Sequence, residues 1–309
     1  MYDNLDLVLY KGEQTKISFL DNTPGYLSEL TSEGISQFGH YINGYLGSLK
    51  ISITEKRIKI HDSSICKYYL GNNFKTLNKG DTKKAIEKIS DTLHQPFNKS
   101  TVTRIDFSSN IITKYPANIY YQFLGEAQYY KRLEQNNGLY YNNGLRQILF
   151  YGKVHEQKEK KIPIPELYIG RNVLRYELRF RKKLKEQFRC ADLLAEKLYD
   201  ETFYYNLIKR WKNEYLEIQK INSKLIEMRP TGSKKELIET LALFSILEIG
   251  QPKILNKISE WQEKKEITKK QAYDLRKSLK DLSKIKLNNN GNELIDELTN
   301  KIKQLSRYA

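Results

Sequence analysis

Only two cysteines, Cys66 and Cys190, and four histidines, His40, His61, His94 and His155, occur in this chain of 309 residues. The cysteines stand too far apart in sequence to form a disulfide framework or a zinc cluster. The histidines are scattered, with no His-X-His pair to serve as metal ligands. Long apolar runs are also missing. The most apolar stretch, residues 241–249, is interrupted by Ser245 and Glu248, far short of the ~20 residues a membrane span needs. The first residues are acidic and carry no signal-peptide core. These absences lead us to expect a soluble, cytoplasmic protein with no membrane partner.

Negative charge is the other deficit. Fifty-three Lys and Arg face 37 Asp and Glu, a net charge of +16. Such a surplus points to a polyanionic partner, most often nucleic acid. AT-rich coding, which favours Lys, Asn, Ile and Tyr, is the competing explanation. Clustering favours the partner: between Lys153 and Arg189 there are twelve Lys and Arg against five Glu. With 39% apolar and 29% charged residues, the chain has enough apolar side chains for a core. Its length suits one large or two ordinary domains.

Periodicity divides the sequence. Up to about residue 180 the apolar pattern is mostly period two, with short helices between. Strands are expected at residues 5–10, 48–53, 57–61, 101–108, 139–141, 147–153 and 172–180. Asn142, Asn143 and Gly144 turn one hairpin. Asp81 is expected to cap a helix that runs to about His94, and a second helix is expected from Pro116 to Ala127. Beyond residue 190 only Pro230 and Pro252 occur and no strand is evident. Helices are plausible over 190–226, 234–248, 252–264, 268–284 and 293–306, with breaks at 231–233 and 287–291. The expected fold is α+β: an antiparallel-sheet catalytic domain with flanking helices over residues 1–189, followed by an all-α region over 190–309.

Three of these strands share a property. Side chains alternate between faces, so Arg104, Asp106 and Ser108 lie opposite Ile105 and Phe107. Likewise Arg175, Glu177 and Arg179 lie opposite Leu174, Tyr176, Leu178 and Phe180, and Leu149, Tyr151 and Lys153 lie opposite Ile148 and Phe150. If the strands are neighbours, the ionisable groups meet on one surface. Two carboxylates without nearby cysteine suit Mg²⁺ or Mn²⁺. A tyrosine beside them has the chemistry to attack a phosphodiester, given cations such as Lys153 and Arg175 to favour its phenolate. A solvated strand face with cross-strand ion pairs accounts for the same alternation, and alternation alone does not single out one of 23 tyrosines.

The order of motifs adds a resemblance. Arg104-Ile-Asp-Phe107, then Ile148-Leu-Phe-Tyr-Gly-Lys-Val-His-Glu156, then Leu174-Arg-Tyr-Glu-Leu-Arg-Phe180 resembles the phage and plasmid replication initiators of the gene II/X family. It is also similar to the Rep_trans rolling-circle initiators of small staphylococcal plasmids. The resemblance covers roughly residues 100–190. It implies that Tyr151 nicks one DNA strand and becomes linked to the 5′ phosphate. It further implies that Asp106 and Glu177 bind the divalent metal, with Glu156 a further acidic position. Lys153, Arg175 and Arg179 would steady the phosphate. The partners implied are origin DNA, a host helicase and a host polymerase primed by the freed 3′-OH. A homodimer is one source of the second nucleophile that ends a replication round. The sequence departs from nicking enzymes that use paired histidines, and Tyr140 and Tyr141 are alternative nucleophiles. His155 is a general base, a metal ligand or a surface residue.

Arg104, Arg179, Arg181, Lys182, Lys183 and Lys185, with Lys158, Lys160 and Lys161 along the same groove, are expected to contact DNA phosphates. Tyr199, Phe203, Tyr204, Tyr205 and Trp211 read as core rather than stacking platforms. A basic stretch over residues 264–280 suits duplex binding or dimerisation. Two other readings stay open: a DNA-binding protein without catalysis, and a metal-dependent endonuclease that activates water.

Overall fold

The computed structural model describes residues 1–12, 18–37, 39–221, 238, 242, 245–246, 249–282 and 293–308. Ten strands form one antiparallel sheet: β1 (Tyr2–Tyr10), β2 (Glu29–Ser36), β3 (Gly39–Leu46), β4 (Leu49–Thr54), β5 (Arg57–His61), β6 (Thr101–Thr113), β7 (Lys131–Gln135), β8 (Gly138–Asn142), β9 (Arg146–Gly152) and β10 (Asn172–Phe180). Their order is β2-β3-β4-β5-β1-β6-β10-β9-β8-β7. The chain therefore starts in the middle of the sheet, at β1. It builds one wing by consecutive hairpins, then returns through β6 to build the other.

The helices are α1 (Phe19–Asn22), α2 (Ile65–Leu70), α3 (Lys79–Leu93), α4 (Ala117–Tyr121), α5 (Lys153–Glu159), α6 (Leu184–Phe188), α7 (Glu201–Glu217), α8 (Gln251–Glu263), α9 (Lys269–Leu282) and α10 (Glu293–Tyr308). One sheet face is apolar and covered. Phe150 stacks on Tyr176 at 4.8 Å, and Tyr176 stacks on Trp211 of α7 at 4.7 Å. Phe107 and Tyr2 meet edge to face at 5.3 Å, with Tyr204 of α7 alongside. Ala85, Ile86, Ile89 and Leu93 of α3, and Ile295, Leu298 and Ile302 of α10, join the same buried cluster. Burying this face is the main stabilising term, at ~25 cal/mol per Å² of apolar surface, and it leaves the opposite face of β6, β10 and β9 for charged side chains.

The alternating strands lie where periodicity places them, including the hairpin at Asn142, Asn143 and Gly144. Gly144 has a φ of +81°, and the Asn143 side chain accepts hydrogen bonds from the Leu145 and Arg146 amides. Other elements differ from expectation. Asn78, not Asp81, caps α3, its side chain accepting from the Asp81 amide at 2.8 Å. Helix α4 stops at Tyr121 instead of continuing to Ala127, because the following backbone pairs elsewhere. The Gly125 amide donates to the Gln219 carbonyl and the Gln219 amide donates to the Glu126 carbonyl, both at 2.8 Å. The strand expected over residues 147–153 ends at Gly152, and Lys153 opens α5. Strands β2, β3 and β7 come without a matching sequence expectation. Nearly every residue of β2 is exposed, so it carries no alternation to read.

The region after residue 190 is helical but begins differently from a single helix over 190–226. A 3₁₀ turn (Ala195–Tyr199) precedes α7, which Asp200 caps through the Phe203 amide. Phe203, Tyr204 and Trp211 are buried as expected, whereas Tyr205 is half exposed. Because α7 and α10 share the sheet's core, apolar packing crosses residue 189. The basic stretch 264–280 spans the turn that follows α8 and most of α9. The expected helix over 234–248 falls largely outside the described residues, as do the breaks at 231–233 and 287–291. No described helix is long and apolar enough to cross a membrane.

Candidate active site

Antiparallel register sets the site. Across β6 and β10, Asp106 faces Arg179 and Ser108 faces Glu177. Across β10 and β9, Arg175 faces Tyr151 and Glu177 faces Leu149. Leu149 is in turn the partner of Tyr140 on β8. Asp106, Glu177, Tyr151 and Arg179 thus share the face opposite the one that α7 and α10 cover, and α5 borders it at the Tyr151 end. Gly138 permits the close approach of β8 to β9: a Cβ there would sit 2.7 Å from the Phe150 carbonyl oxygen and 3.2 Å from Tyr151 Cβ.

Asp106 is fully buried. Arg104 grips it with two hydrogen bonds, Nε to Oδ1 at 2.8 Å and Nη2 to Oδ2 at 2.7 Å, and Asn4 donates to Oδ2 at 2.9 Å. Arg179 lies between the two carboxylates, its Nε 3.4 Å from Asp106 Oδ2 and 3.2 Å from Glu177 Oε1. Burial, and then the neighbouring Glu177 charge, push the Asp106 carboxyl up to about 6 against the pull of the arginines.

Tyr151 lines a cleft of about 400 Å³ together with Glu177, Arg179, Tyr140, Glu156, His155 and Lys160. Its hydroxyl has no hydrogen-bond partner among the described residues. Burial, reinforced by the Glu177 charge, raises its pKa well above that of a free phenol, and Arg175 offsets this only in part. The cations expected to activate it are engaged elsewhere. Arg175 is fully buried beneath the cleft and does not line it. Its guanidinium donates to Asp3, to Ser108 at 2.7 Å, to Asn110 at 3.1 Å and to the Asn73 carbonyl at 3.0 Å. Its Nε alone lacks a partner. Lys153 is buried as well, 6.0 Å from the Tyr151 ring centre, and donates to Glu156 at 2.8 Å. Burial and then Arg175 lower its pKa. Burial alone would raise the Glu156 carboxyl, but hydrogen bonds from Lys153, Lys160 and Gln157 outweigh it and hold the group at about 2.

The two neighbouring tyrosines separate. Tyr141 is buried on the core face, donating to the Leu124 and Gly125 carbonyls at 3.0 and 2.7 Å, and burial raises its pKa. Tyr140 lines the cleft, its hydroxyl 3.1 Å from Asn137 Oδ1. His155 is exposed and pairs with Glu159 at 3.3 Å. Sequence periodicity missed Asp3, Asn4, Asp62 and Asn73, which complete the wall on the β1 side. A register shift in β1 between Tyr2 and Leu5 breaks the alternation that would have revealed Asp3 and Asn4.

The basic residues fall into two groups rather than one groove. Arg181, Lys182, Lys183 and Lys185 follow β10 at its far end, about 20 Å from Tyr151 at ~3.4 Å per residue, and Lys185 pairs with Asp192. Lys158 lies in the last turn of α5, and Lys160 and Lys161 follow it, at the Tyr151 end. Among the described residues no three His, Cys, Asp or Glu side chains are grouped to hold a metal ion. Asp106 and Glu177 supply the all-oxygen donors that a hard divalent cation prefers. The Arg179 guanidinium occupies the charge-neutralising position between them.

No curated protein matches the chain. Residues 1–214 match the Phage_CRI family model, which describes the N-terminal part of a replication-associated protein. The matched span takes in the whole sheet and most of α7. The chain therefore belongs to this family of phage replication-associated proteins.

Proposed function

We propose that the chain initiates rolling-circle replication by nicking one DNA strand with Tyr151. The observation that supports this most directly is an unpartnered tyrosine hydroxyl in a cleft beside Glu177 and Arg179, on a chain of a replication-associated family. In the proposed step the Tyr151 oxygen attacks the scissile phosphorus and the phenolic proton leaves. The bond to the 3′ oxygen breaks, that oxygen takes up a proton, and a 5′-phosphotyrosine link and a free 3′-OH result. The reverse attack rejoins the strand. Arg179, with Lys160 at the rim, meets the phosphate charge; Lys153 and Arg175 act from below through their field, without touching DNA. Asp106 and Glu177 would hold Mg²⁺ or Mn²⁺, which supplies the positive charge a phenol of raised pKa needs. Holding it requires Arg179 to turn from the carboxylates toward the phosphate. The free 3′-OH would prime a host polymerase behind a host helicase, with a second subunit or Tyr140 supplying the closing nucleophile.

Incubation with supercoiled DNA of the protein's own replicon, with Mg²⁺ and with EDTA, tests the reading. A Mg²⁺-dependent protein adduct on a 5′ end, located at Tyr151 by mass spectrometry, is expected. Nicking without any adduct would assign the cleavage to activated water. Firm binding without cleavage would leave a DNA-binding protein, a reading favoured by the saturation of Asp106 by Arg104 and Asn4.

A further inference from the structure

Beside the cleft of Tyr151 lies a second one of about 540 Å³. Both volumes fall in the ~300–1,000 Å³ range of ligand sites. The two clefts share Asn137, Gly152 and His155 in their linings, so they adjoin. Their charges differ. The first is lined by five carboxylates, Asp3, Asp62, Glu156, Glu159 and Glu177. No Asp or Glu lines the second, where the cations are Lys158 and Arg171. Neither side chain has an ion-pair or hydrogen-bond partner among the described residues. Besides Tyr121 and the shared His155, the remaining polar lining is amide: Asn118, Asn136 and Asn172 join the shared Asn137. Asn172 already donates to the Lys114 carbonyl at 3.1 Å and Asn137 accepts from Tyr140 at 3.1 Å, which leaves the amides of Asn118 and Asn136 open. Asn118, Asn136 and Arg171 are exposed.

This combination has a chemical meaning. Unpaired cations without a neighbouring carboxylate fit phosphates, whereas side-chain amides, each with a donor and an acceptor, fit the edges of bases. Base edges are available in this way when a strand is unpaired. The geometry points to the second cleft as the seat of single-stranded DNA flanking the scissile phosphate, on one side of it. Phosphates lie on Lys158 and Arg171 and base edges on the exposed Asn118 and Asn136. The inference rests on the nicking role of the first cleft for its orientation, but its binding chemistry can be measured without nicking.

The test is fluorescence anisotropy of a labelled single-stranded oligonucleotide carrying the nick site, in EDTA, so that no chemistry intervenes. The full chain is compared with K158A/R171A and with the charge-matched control K83A/K84A on α3. Loss of two phosphate contacts should weaken binding about tenfold near 0.1 M salt and flatten the log–log salt slope by about 1.4, at ~0.7 per phosphate of a single strand. The control should change neither. Oligonucleotides shortened on one side of the nick should bind the native chain more weakly, and K158A/R171A should be insensitive to that shortening. Circular dichroism checks that the exposed substitutions leave the fold intact. Affinity and slope equal to the control would overturn the inference, as would equal sensitivity to shortening on both sides or an equal loss on duplex DNA. If these binding results hold while no Tyr151 adduct forms with the native chain, the nicking reading fails and the binding site stands.

Discussion

Asp106 and Arg179 face each other across β6 and β10, and the same guanidinium that lies 3.4 Å from Asp106 lies 3.2 Å from Glu177. One cation thus serves two carboxylates that would otherwise repel each other in a buried setting. If these carboxylates hold the metal, Asp106→Asn and Glu177→Gln should each reduce Mg²⁺-dependent nicking at least ~100-fold, the scale on which single groups stabilising a transition state act. Binding of single-stranded DNA in EDTA should persist. Full nicking activity in either variant would remove the metal assignment.

Burial raises the Asp106 pKa from 3.8 to about 6, and the sign of the consequence follows from linkage. The folded chain binds this proton more tightly than the unfolded chain. The stability it contributes is present below about pH 4 and is lost as pH rises through 6. The Tm of the native chain should therefore fall relative to that of Asp106→Asn between pH 4 and 6. Parallel Tm–pH curves for the two proteins would show that Asp106 does not titrate in this range.

Tyr151 and Tyr141 make a paired comparison. The Tyr151 hydroxyl has no partner among the described residues, so Tyr151→Phe should change unfolding free energy by no more than about 0.5 kcal/mol while abolishing the adduct. Tyr141 donates to two buried carbonyls. Tyr141→Phe should cost about 1–2 kcal/mol by leaving them without that donor, with nicking per folded molecule intact. Urea unfolding and adduct yield, measured on both, separate the structural tyrosine from the reacting one.

How far the sequence carries this site depends on the strand. Along β6 and β10 the alternation is uninterrupted, so Asp106, Glu177 and Arg179 can be assigned to one face from their positions alone. Neighbouring strands then make them neighbours in space. Alternation gives the face of a side chain but not its depth. Arg175 and Arg179 are four residues apart on the same face, yet one is sealed beneath Asp3, Ser108 and Asn110 and the other lines the cleft. Apolar alternation runs up to Lys153 and so places it on a strand. Lys153 and Glu156 at i,i+3, with Glu156 and Lys160 at i,i+4, instead favour a helix. Asp3 and Asn4 escape because β1 shifts register beside them. The exposed β2 escapes because neither of its faces is buried.

The depth of Arg175 gives a prediction of its own. With the guanidinium fully buried against Asp3, Arg175→Met leaves a buried carboxylate without its counter-charge. A cost of about 3–5 kcal/mol is expected, seen as a lower urea midpoint with an unchanged slope. A variant of native stability that had lost only nicking would instead make Arg175 a direct phosphate ligand.

The Lys153–Glu156 pair connects the floor of the cleft to its pH response. Glu156 is held at about 2, below its ordinary 4.5, by hydrogen bonds from Lys153, Lys160 and Gln157. The unfolded chain therefore binds this proton more readily, and the stability Glu156 contributes is present above pH 4.5 and lost as pH falls toward 2. Glu156→Gln removes that dependence and strands a buried ammonium. Because Glu156 is partly exposed, the expected cost at pH 7 is about 2 kcal/mol, below the full ~3–5 of a sealed pair. Lys153→Met combined with Glu156→Gln should recover part of it, since the stranded charge is then gone. A double-mutant cycle by urea unfolding at pH 7 and pH 3.5 measures the coupling. It should be large at the higher pH and smaller at the lower. Coupling near zero at pH 7 would mean that Lys153 already sits in the fold as the neutral amine toward which its burial drives it.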